Sequence, residues 1–260
     1  MKKTLVKVVV PIYEEVPSQR SAASFRQTVR ILGSRYPILL LAPEGLNLFY
    51  YLSCHERCEV ERVPREWLGC ECGIEGYNRM MLSREFYERF DSVEYILICQ
   101  TDAWIFCDQL EEWCRRGYDY VGAPWPKRKI YERWPVRLWL KWRKAWSGSR
   151  QPLLRQDYFN RVGNGGLSLR RVEAFIQASE RYAETIRLFK ERRGTTYNED
   201  WFWSLIPRDF SYPSFQEALG FSFDTHPELC YELASQELPF GCHGWSKPRN
   251  YPFWRRFISA

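Results

Sequence analysis

Tyr95-Ile96-Leu97-Ile98-Cys99-Gln100-Thr101-Asp102-Ala103-Trp104-Ile105-Phe106 is the stretch whose reading decides the fold. Its first five residues form an apolar run preceded by the polar Asp91, Ser92 and Glu94. A run of that length and β-branched content suits a strand buried on both faces of a parallel sheet. The run then gives way to Gln100-Thr101-Asp102 before apolar residues resume at Ala103. A carboxylate at the carboxyl end of a central strand lies where open α/β sheets bind ligands. An Asp at a strand end also caps the following turn, so both roles stay open for Asp102.

The residues on either side repeat the same alternation. Thr4 to Ile12 and Tyr36 to Ala42 read as parallel strands, and Cys58 to Val63 alternates like a third. Between them, Ser18 to Leu32 carries Ala22, Phe25, Val29 and Leu32 at helical spacing, with Ser18 as N-cap and Gly33 as stop. Leu46 to Leu52 and Gly76 to Phe90 read as further helices. This βαβαβαβ order predicts an α/β, Rossmann-like, mostly parallel central sheet flanked by helices, with right-handed crossovers. No Gly-x-Gly-x-x-Gly follows the first strand and no phosphate-binding P-loop motif occurs, so dehydrogenase and P-loop readings find no support.

Past a helix at Asp108 to Arg116 and a strand at Tyr118 to Pro124, the pattern breaks. Residues 127–150 hold nine Lys or Arg against the single acid Glu132, whereas the whole chain carries a net charge of only +6. On a helix Trp134, Leu138, Trp142 and Trp146 fall on one stripe, with Arg133, Arg137 and Lys141 beside it. That is the pattern of an interfacial helix on an anionic membrane. It equally suits an insert whose Trp residues pack on the domain while its charges are solvated. Nucleic-acid binding is not expected, because the charge is local and no recognised nucleic-acid motif accompanies it.

After the insert, Gly163-Asn164-Gly165-Gly166 indicates a close backbone approach followed by a strand, and Arg171 to Arg193 reads as one long helix. Asn198-Glu199-Asp200-Trp201 then sets two carboxylates against aromatic residues, either as the capped first turn of a helix or as a functional pair. The C-terminal part has no strong helical signal. Leu219 to Asp224 reads as a short strand, and Phe240-Gly241-Cys242-His243-Gly244 as a loop presenting a histidine.

Bulk properties are consistent with this architecture. At 260 residues, 45% hydrophobic and 27% charged, the chain can bury a substantial core. Aromatic residues make up 17% of it, a surplus that fits carbohydrate platforms, interfaces or a membrane-surface belt. The first residues imitate a signal peptide, but Lys7 interrupts the apolar run and Glu14-Glu15 replace a small-residue cleavage site. Together with the lack of a long uncharged run, this leads us to expect a cytoplasmic protein, placed by its basic segment at the inner face of the plasma membrane. The nine cysteines are odd in number and suit reduced thiols; Cys54, Cys58, Cys70 and Cys72 lack the C-x-x-C spacing of a structural zinc site.

In order along the chain, the segments Gly76-Tyr77-Asn78, Gln100-Thr101-Asp102-Ala103, Tyr120-Val121-Gly122-Ala123-Pro124-Trp125, Gly163-Asn164-Gly165-Gly166, Asn198-Glu199-Asp200 and Phe240-Gly241-Cys242-His243-Gly244 resemble the GT-A fold of nucleotide-sugar-dependent glycosyltransferases. The chain is most similar to a bacterial family of GT-A-like proteins named mainly by its unknown function. The resemblance implies a single GT-A-like domain over 1–260: a nucleotide-sugar-binding half at 1–125, the basic aromatic insert at 126–150 and an acceptor and catalytic half at 151–260.

It also implies roles. The strand-end motif of the fold, Asp-X-Asp, holds a divalent cation (Mn or Mg) on the donor diphosphate; here it reads Gln100-Thr101-Asp102, with Gln in the first position. Asp102 and His243 are the implied metal ligands. Pro11, Tyr13 and Glu14 resemble the loop that receives base and ribose, Asn78 and Arg79 face the donor, and Lys247 neutralises the departing diphosphate. Asp200, with Glu199 beside it, resembles the catalytic base of inverting members, and Gly165, Gly166 and Trp201 flank the acceptor. The implied activity is an inverting sugar transfer from a nucleotide-sugar donor to a glycan or lipid-linked acceptor in bacterial surface polysaccharide synthesis. The alternative, raised by Gln100, is a non-catalytic nucleotide-sugar or glycan-binding protein on the same fold.

Overall fold

Four short strands build the parallel part of the sheet, the largely apolar β1 (Thr4–Pro11), β2 (Ile38–Pro43) and β4 (Val93–Cys99) and the charged, mostly exposed β3 (Glu59–Val63). A computed structural model describes residues 3–69, 71–147, 153–192 and 194–259; Cys70, Arg193 and the 148–150 end of the basic stretch lie outside the described residues. The strands lie in the order β3-β2-β1-β4, with Val8 paired to both Ile38 and Leu97. Period-two alternation divides β4 between two core layers. Tyr95, Leu97 and Cys99 pack with Phe25 and Leu32 of α1 (Gln19–Leu32) and Tyr51 of α2 (Phe49–Cys54). Ile96 and Ile98 face the opposite layer, with Met80 and Met81 of α3 (Gly73–Met81) and Phe86 of α4 (Arg84–Glu88). The fold is therefore mixed α/β, a mostly parallel central sheet flanked by helices.

Beyond β4 the chain turns into β5 (Ala103–Ile105), α5 (Leu110–Arg115) and β6 (Tyr120–Val121), then leaves the sheet for the basic insert and its helix α6 (Trp134–Ser147). It returns through the glycine segment into β7 (Leu167–Arg171), which pairs antiparallel with both β4 and β6. The reversal follows from the entry point. The glycine segment meets the sheet at the carboxyl end of β4, where Gln100 N–H donates to Gly166 O at 2.9 Å, so β7 has only the reverse direction to run.

Several sequence expectations change. The helix expected over Gly76 to Phe90 is two, α3 and α4, because Ser83 Oγ donates to Met80 O and accepts from Phe86 N–H, capping one helix and starting the next. The long helix expected after β7 is α7 (Val172–Arg181) and α8 (Ala183–Glu191), broken at Tyr182, whose hydroxyl is held by Asp209. Half of the strand expected at Leu219 to Asp224 is helical. After α9 (Glu199–Leu205), a reciprocal capping box between Ser214 and Glu217 opens α10 (Phe215–Phe221) and leaves β8 only Ser222–Phe223.

The C-terminal part, in which no strong helix was expected, contains α10, α11 (Pro227–Leu233) and α12 (Tyr251–Trp254). With β9 (Gly241–His243) between them, they enclose a separate apolar cluster of Trp104, Phe223, Cys242, Trp245 and Trp254. A second sheet, ordered β5-β9-β8, crosses this part and brings Ala103 opposite His243. Among the described residues no helix is long and apolar enough to cross a membrane.

Candidate active site

Asp102 follows the buried β4 by three residues, in the turn where Ala103 N–H bonds back to Gln100 O at 2.9 Å. β9 approaches from the C-terminal part, and Gly244 N–H donates to Asp102 O at 2.9 Å. This pairing presents the His243 ring to the strand end. His243 Nε2 lies 3.0 Å from Asp102 Oδ1 and 3.1 Å from Gln100 Oε1, while Nδ1 lies 3.1 Å from Asp224 Oδ1. Lys247 Nζ is 3.7 Å from the other Asp102 oxygen.

Electrostatics follow from this packing. Burial opposes charge on His243, but two carboxylates outweigh it and push its pKa up to about 9. Burial likewise opposes charge on Asp102, yet His243 and Lys247 hold its carboxyl well below the usual range.

Two clefts open on either side of this ring. One, of about 460 Å³, is lined by Tyr13, Leu68, Gly69, Gly73, Ile74, Tyr77, Gln100, Thr101 and Asp102. The other, of about 330 Å³, is lined by Trp125, Tyr158, Asn164, Asp200, Trp201 and Asp224, with Arg128, His226 and Arg249 supplying basic groups. His243 thus joins one carboxylate of each cleft. Both volumes fall within the range of small-ligand sites.

The glycine segment fits this arrangement sterically. A Cβ on Gly166 would collide with the His243 ring, and one on Gly165 with the Glu199 carboxylate. Gly163 is packed as closely, against the Trp125 ring and the Ser204 hydroxyl, so the close approach foreseen for the segment holds at all three of its glycines.

Glu199 and Asp200 are adjacent in sequence but occupy different environments. Glu199 is buried, with Arg170 Nη2 at 3.1 Å, and lines neither cleft. Asp200 opens onto the second cleft, its Oδ1 accepting from Trp201 N–H at 2.8 Å. Desolvation by the surrounding aromatic residues, followed by the neighbouring Glu199 charge, pushes the Asp200 pKa up to about 7. A carboxyl poised near neutrality can exchange a proton with a bound hydroxyl.

Of the other residues singled out in sequence, Tyr13, Gln100, Thr101 and Asp102 come together in the first cleft, and Trp201 lines the second. Pro11 is buried within β1, paired to Leu41, and Glu14 uses its carbonyl to accept from the Tyr51 hydroxyl. Asn78 and Arg79 line a separate cavity with Asn198. There Asn78 Oδ1 accepts from Glu199 N–H at 3.2 Å, capping α9 in place of the Asn198 side chain.

The donor set at the strand end suits a divalent cation. His243 Nε2 stands 3.0 Å from Asp102 Oδ1 and 3.1 Å from Gln100 Oε1, close to the spacing of neighbouring ligand atoms around such a cation, so the three could converge on one. Asp224 on Nδ1 orients Nε2 towards that point, where a cation would take the place of the Nε2 proton. Among the described residues no three His, Cys, Asp or Glu side chains form such a cluster, so the amide oxygen of Gln100 is what would complete a face.

The sequence profile of a family described as a protein of unknown function, DUF5672, matches residues 57–243. The chain belongs to the DUF5672 family. No curated protein matches its sequence. Its fold is shared with solved glycosyltransferases at low identity. Mouse xyloside xylosyltransferase 1 superposes with a TM-score of 0.55 at 11% identity, over 93% of this chain and 97% of that one. The galactosyltransferase LgtC, solved with donor and acceptor sugar analogues, gives 0.52 at 12%, over 97% of both chains. Core-mannan synthase A from Aspergillus fumigatus, in a form with Mn and GDP, gives 0.52 at 12%, over 83% of this chain and 73% of that one.

The span matched by DUF5672 reaches to His243 and includes Asp102 and Asp200, while Tyr13 and Lys247 lie outside it. Two residues in that span escaped the sequence reading. Asp224 ends a short strand, as Asp102 nearly does, and that shared position was its signal. Arg170 is a charge at a fully buried position of β7; a buried cation needs a buried partner, which pointed to Glu199.

Proposed function

We propose that the chain is an inverting glycosyltransferase that moves a sugar from a nucleotide-sugar donor to a glycan or lipid-linked acceptor, in bacterial surface polysaccharide synthesis at the cytoplasmic side of the membrane. The observation that carries this reading is the pair of clefts joined through His243, one with Asp102 and the other with Asp200.

In this reading the first cleft takes the nucleotide diphosphate, with Tyr13 and Tyr77 against the base and ribose. Gln100, Asp102 and His243 would hold Mn or Mg, which supplies charge neutralisation to the leaving diphosphate. Lys247 adds a fixed positive charge at the same oxygens. The acceptor enters the second cleft, where Trp201 offers its face to a sugar ring and Asp200 accepts the proton of the attacking hydroxyl. The new C–O bond forms as the bond from the anomeric carbon to the phosphate oxygen breaks, and the electron pair leaves on the diphosphate. Attack from the face opposite the leaving group inverts the anomeric centre.

A second reading, a nucleotide-sugar or glycan-binding protein without transfer, is favoured by one feature. Gln100 stands where the fold's motif has an acid, leaving a weaker cation site.

Calorimetric titration of UDP, GDP and CDP with and without Mn²⁺, followed by measurement of diphosphate release with candidate acceptors, tests both. The transferase reading expects Mn²⁺-dependent binding of one nucleotide and turnover that is lost in Asp200→Asn while binding persists. Binding with no turnover on any acceptor tried would favour the second reading. Failure of every nucleotide to bind would sink the transferase reading and leave glycan binding as the surviving one.

A further inference from the structure

We propose that α6 is an interfacial helix that docks the protein on an anionic lipid bilayer, with the Asp200 cleft held beside the membrane. The sequence left two arrangements open for the Trp residues of this helix, packed on the domain or free. The structure has them free. Trp134, Leu138, Trp139, Trp142 and Trp146 are each between 52% and 79% exposed. At about 100° per residue they fall, with Ala145, within a single arc of roughly 140°.

The opposite side of α6 holds Val136 and Leu140, its two half-buried residues, and is tied down locally. Gln156 Nε2 donates to Leu140 O at 3.1 Å, and Lys144 pairs with Asp157 at 2.8 Å. The helix is therefore fixed with its aromatic stripe outward. Arg137 and Lys141 border the stripe on one side and Arg143 on the other, and α6 itself carries no acidic residue.

This pattern specifies its occupant. Indole rings concentrate at the boundary of headgroups and acyl chains, and flanking Lys and Arg are drawn to anionic headgroups. A nucleic acid would call for cations on the contact face itself, whereas here they border an apolar one. Location adds to the argument: Arg128 and Tyr131, at the start of the insert, line the Asp200 cleft, so a docked α6 keeps that cleft at the lipid surface. The inference stands independently of whether the clefts perform transfer.

The test is co-sedimentation of the full chain with vesicles of phosphatidylcholine alone or with one third phosphatidylglycerol, at low and high salt. Binding should require phosphatidylglycerol and weaken with salt. Arg137→Glu/Lys141→Glu and Trp142→Ser/Trp146→Ser should each weaken it by about tenfold or more, with circular dichroism and nucleotide binding unchanged. Should either variant fail to fold, quenching of the wild-type Trp fluorescence by brominated lipid asks the same question, and no quenching would overturn the proposal. So would equal binding to both vesicle types, or binding that neither variant alters. Retention of a duplex oligonucleotide instead of vesicles would assign the helix to nucleic acid. A concentration-dependent dimer abolished by Trp142→Ser/Trp146→Ser, without vesicle binding, would assign it to a second copy.

Discussion

Arg170 and Glu199 form a buried ion pair, 3.1 Å apart, that ties β7 to the helix carrying Asp200. Arg170 has further partners in Ser168 Oγ and the Tyr87 hydroxyl, so its charge is surrounded by fixed groups. Replacing Glu199 with Gln leaves that guanidinium buried without a counter-charge, and the loss should be about 3 kcal/mol of unfolding free energy, read by urea denaturation. Because Glu199 also raises the Asp200 pKa, any remaining activity should shift its pH profile to lower pH. A normal stability with full loss of activity would instead make Glu199 a chemical participant.

Asp200 ties activity and stability to pH in opposite directions. Its pKa stands at about 7 against an ordinary 3.8, so it is protonated over much of the acid range. As the base it must be ionised, and the rate should climb about tenfold per pH unit below 7 and level off above. Folding favours the protonated form, so its contribution to stability is complete below about pH 4 and is lost as the pH rises to 7. Asp200→Asn, which never ionises, should therefore melt several degrees higher than wild type at pH 8 and equally at pH 4. A melting difference of the same size at both pH values would show that burial does not govern this carboxyl.

The parallel sheet was legible because β1, β2 and β4 are bounded, largely apolar runs, and the edge strand β3 shows in its alternation of charged and apolar residues. Asp102 was legible because it follows the central strand, and Asp200 because two carboxylates beside aromatic residues demand an explanation. What escaped depended on contacts distant in sequence. Asn78, expected at the donor, caps α9 across 121 residues of chain, and no local pattern carries that bond. Asp224 meets His243 only because β8 and β9 lie side by side in the second sheet. The capping box at Ser214 and Glu217 was a local signal, and it outranks the alternating look of Leu219 to Asp224.

Asp224 is expected to act through His243. Its carboxylate holds Nδ1 and so turns Nε2 towards Asp102 and Gln100. Asp224→Asn keeps the size and one acceptor but loses the charge, and should weaken Mn²⁺ binding by about 10- to 100-fold. His243→Ala should abolish Mn²⁺-dependent nucleotide binding, which calorimetry separates from any residual metal-free binding. Unaltered Mn²⁺ affinity in both variants would remove His243 from the cation site.

Gly166 is where the backbone and the imidazole compete for one volume. A methyl group there meets the His243 ring, which is fixed on both nitrogens and has Asp224, Asp102 and Gln100 around it. Neither side yields easily, since Gly166 O also holds the Gln100 N–H at the end of β4. Gly166→Ala should therefore push the ring out of line, costing about 1–3 kcal/mol in stability and more than tenfold in Mn²⁺-dependent nucleotide binding. Gly165→Ala should behave differently, because its methyl meets the Glu199 carboxylate and strains the Arg170 pair. The expected result is a comparable loss of stability with nucleotide binding largely kept. Paired denaturation and calorimetry of the two variants check this, and equal loss of nucleotide binding in both would mean that the glycines act as one flexible loop.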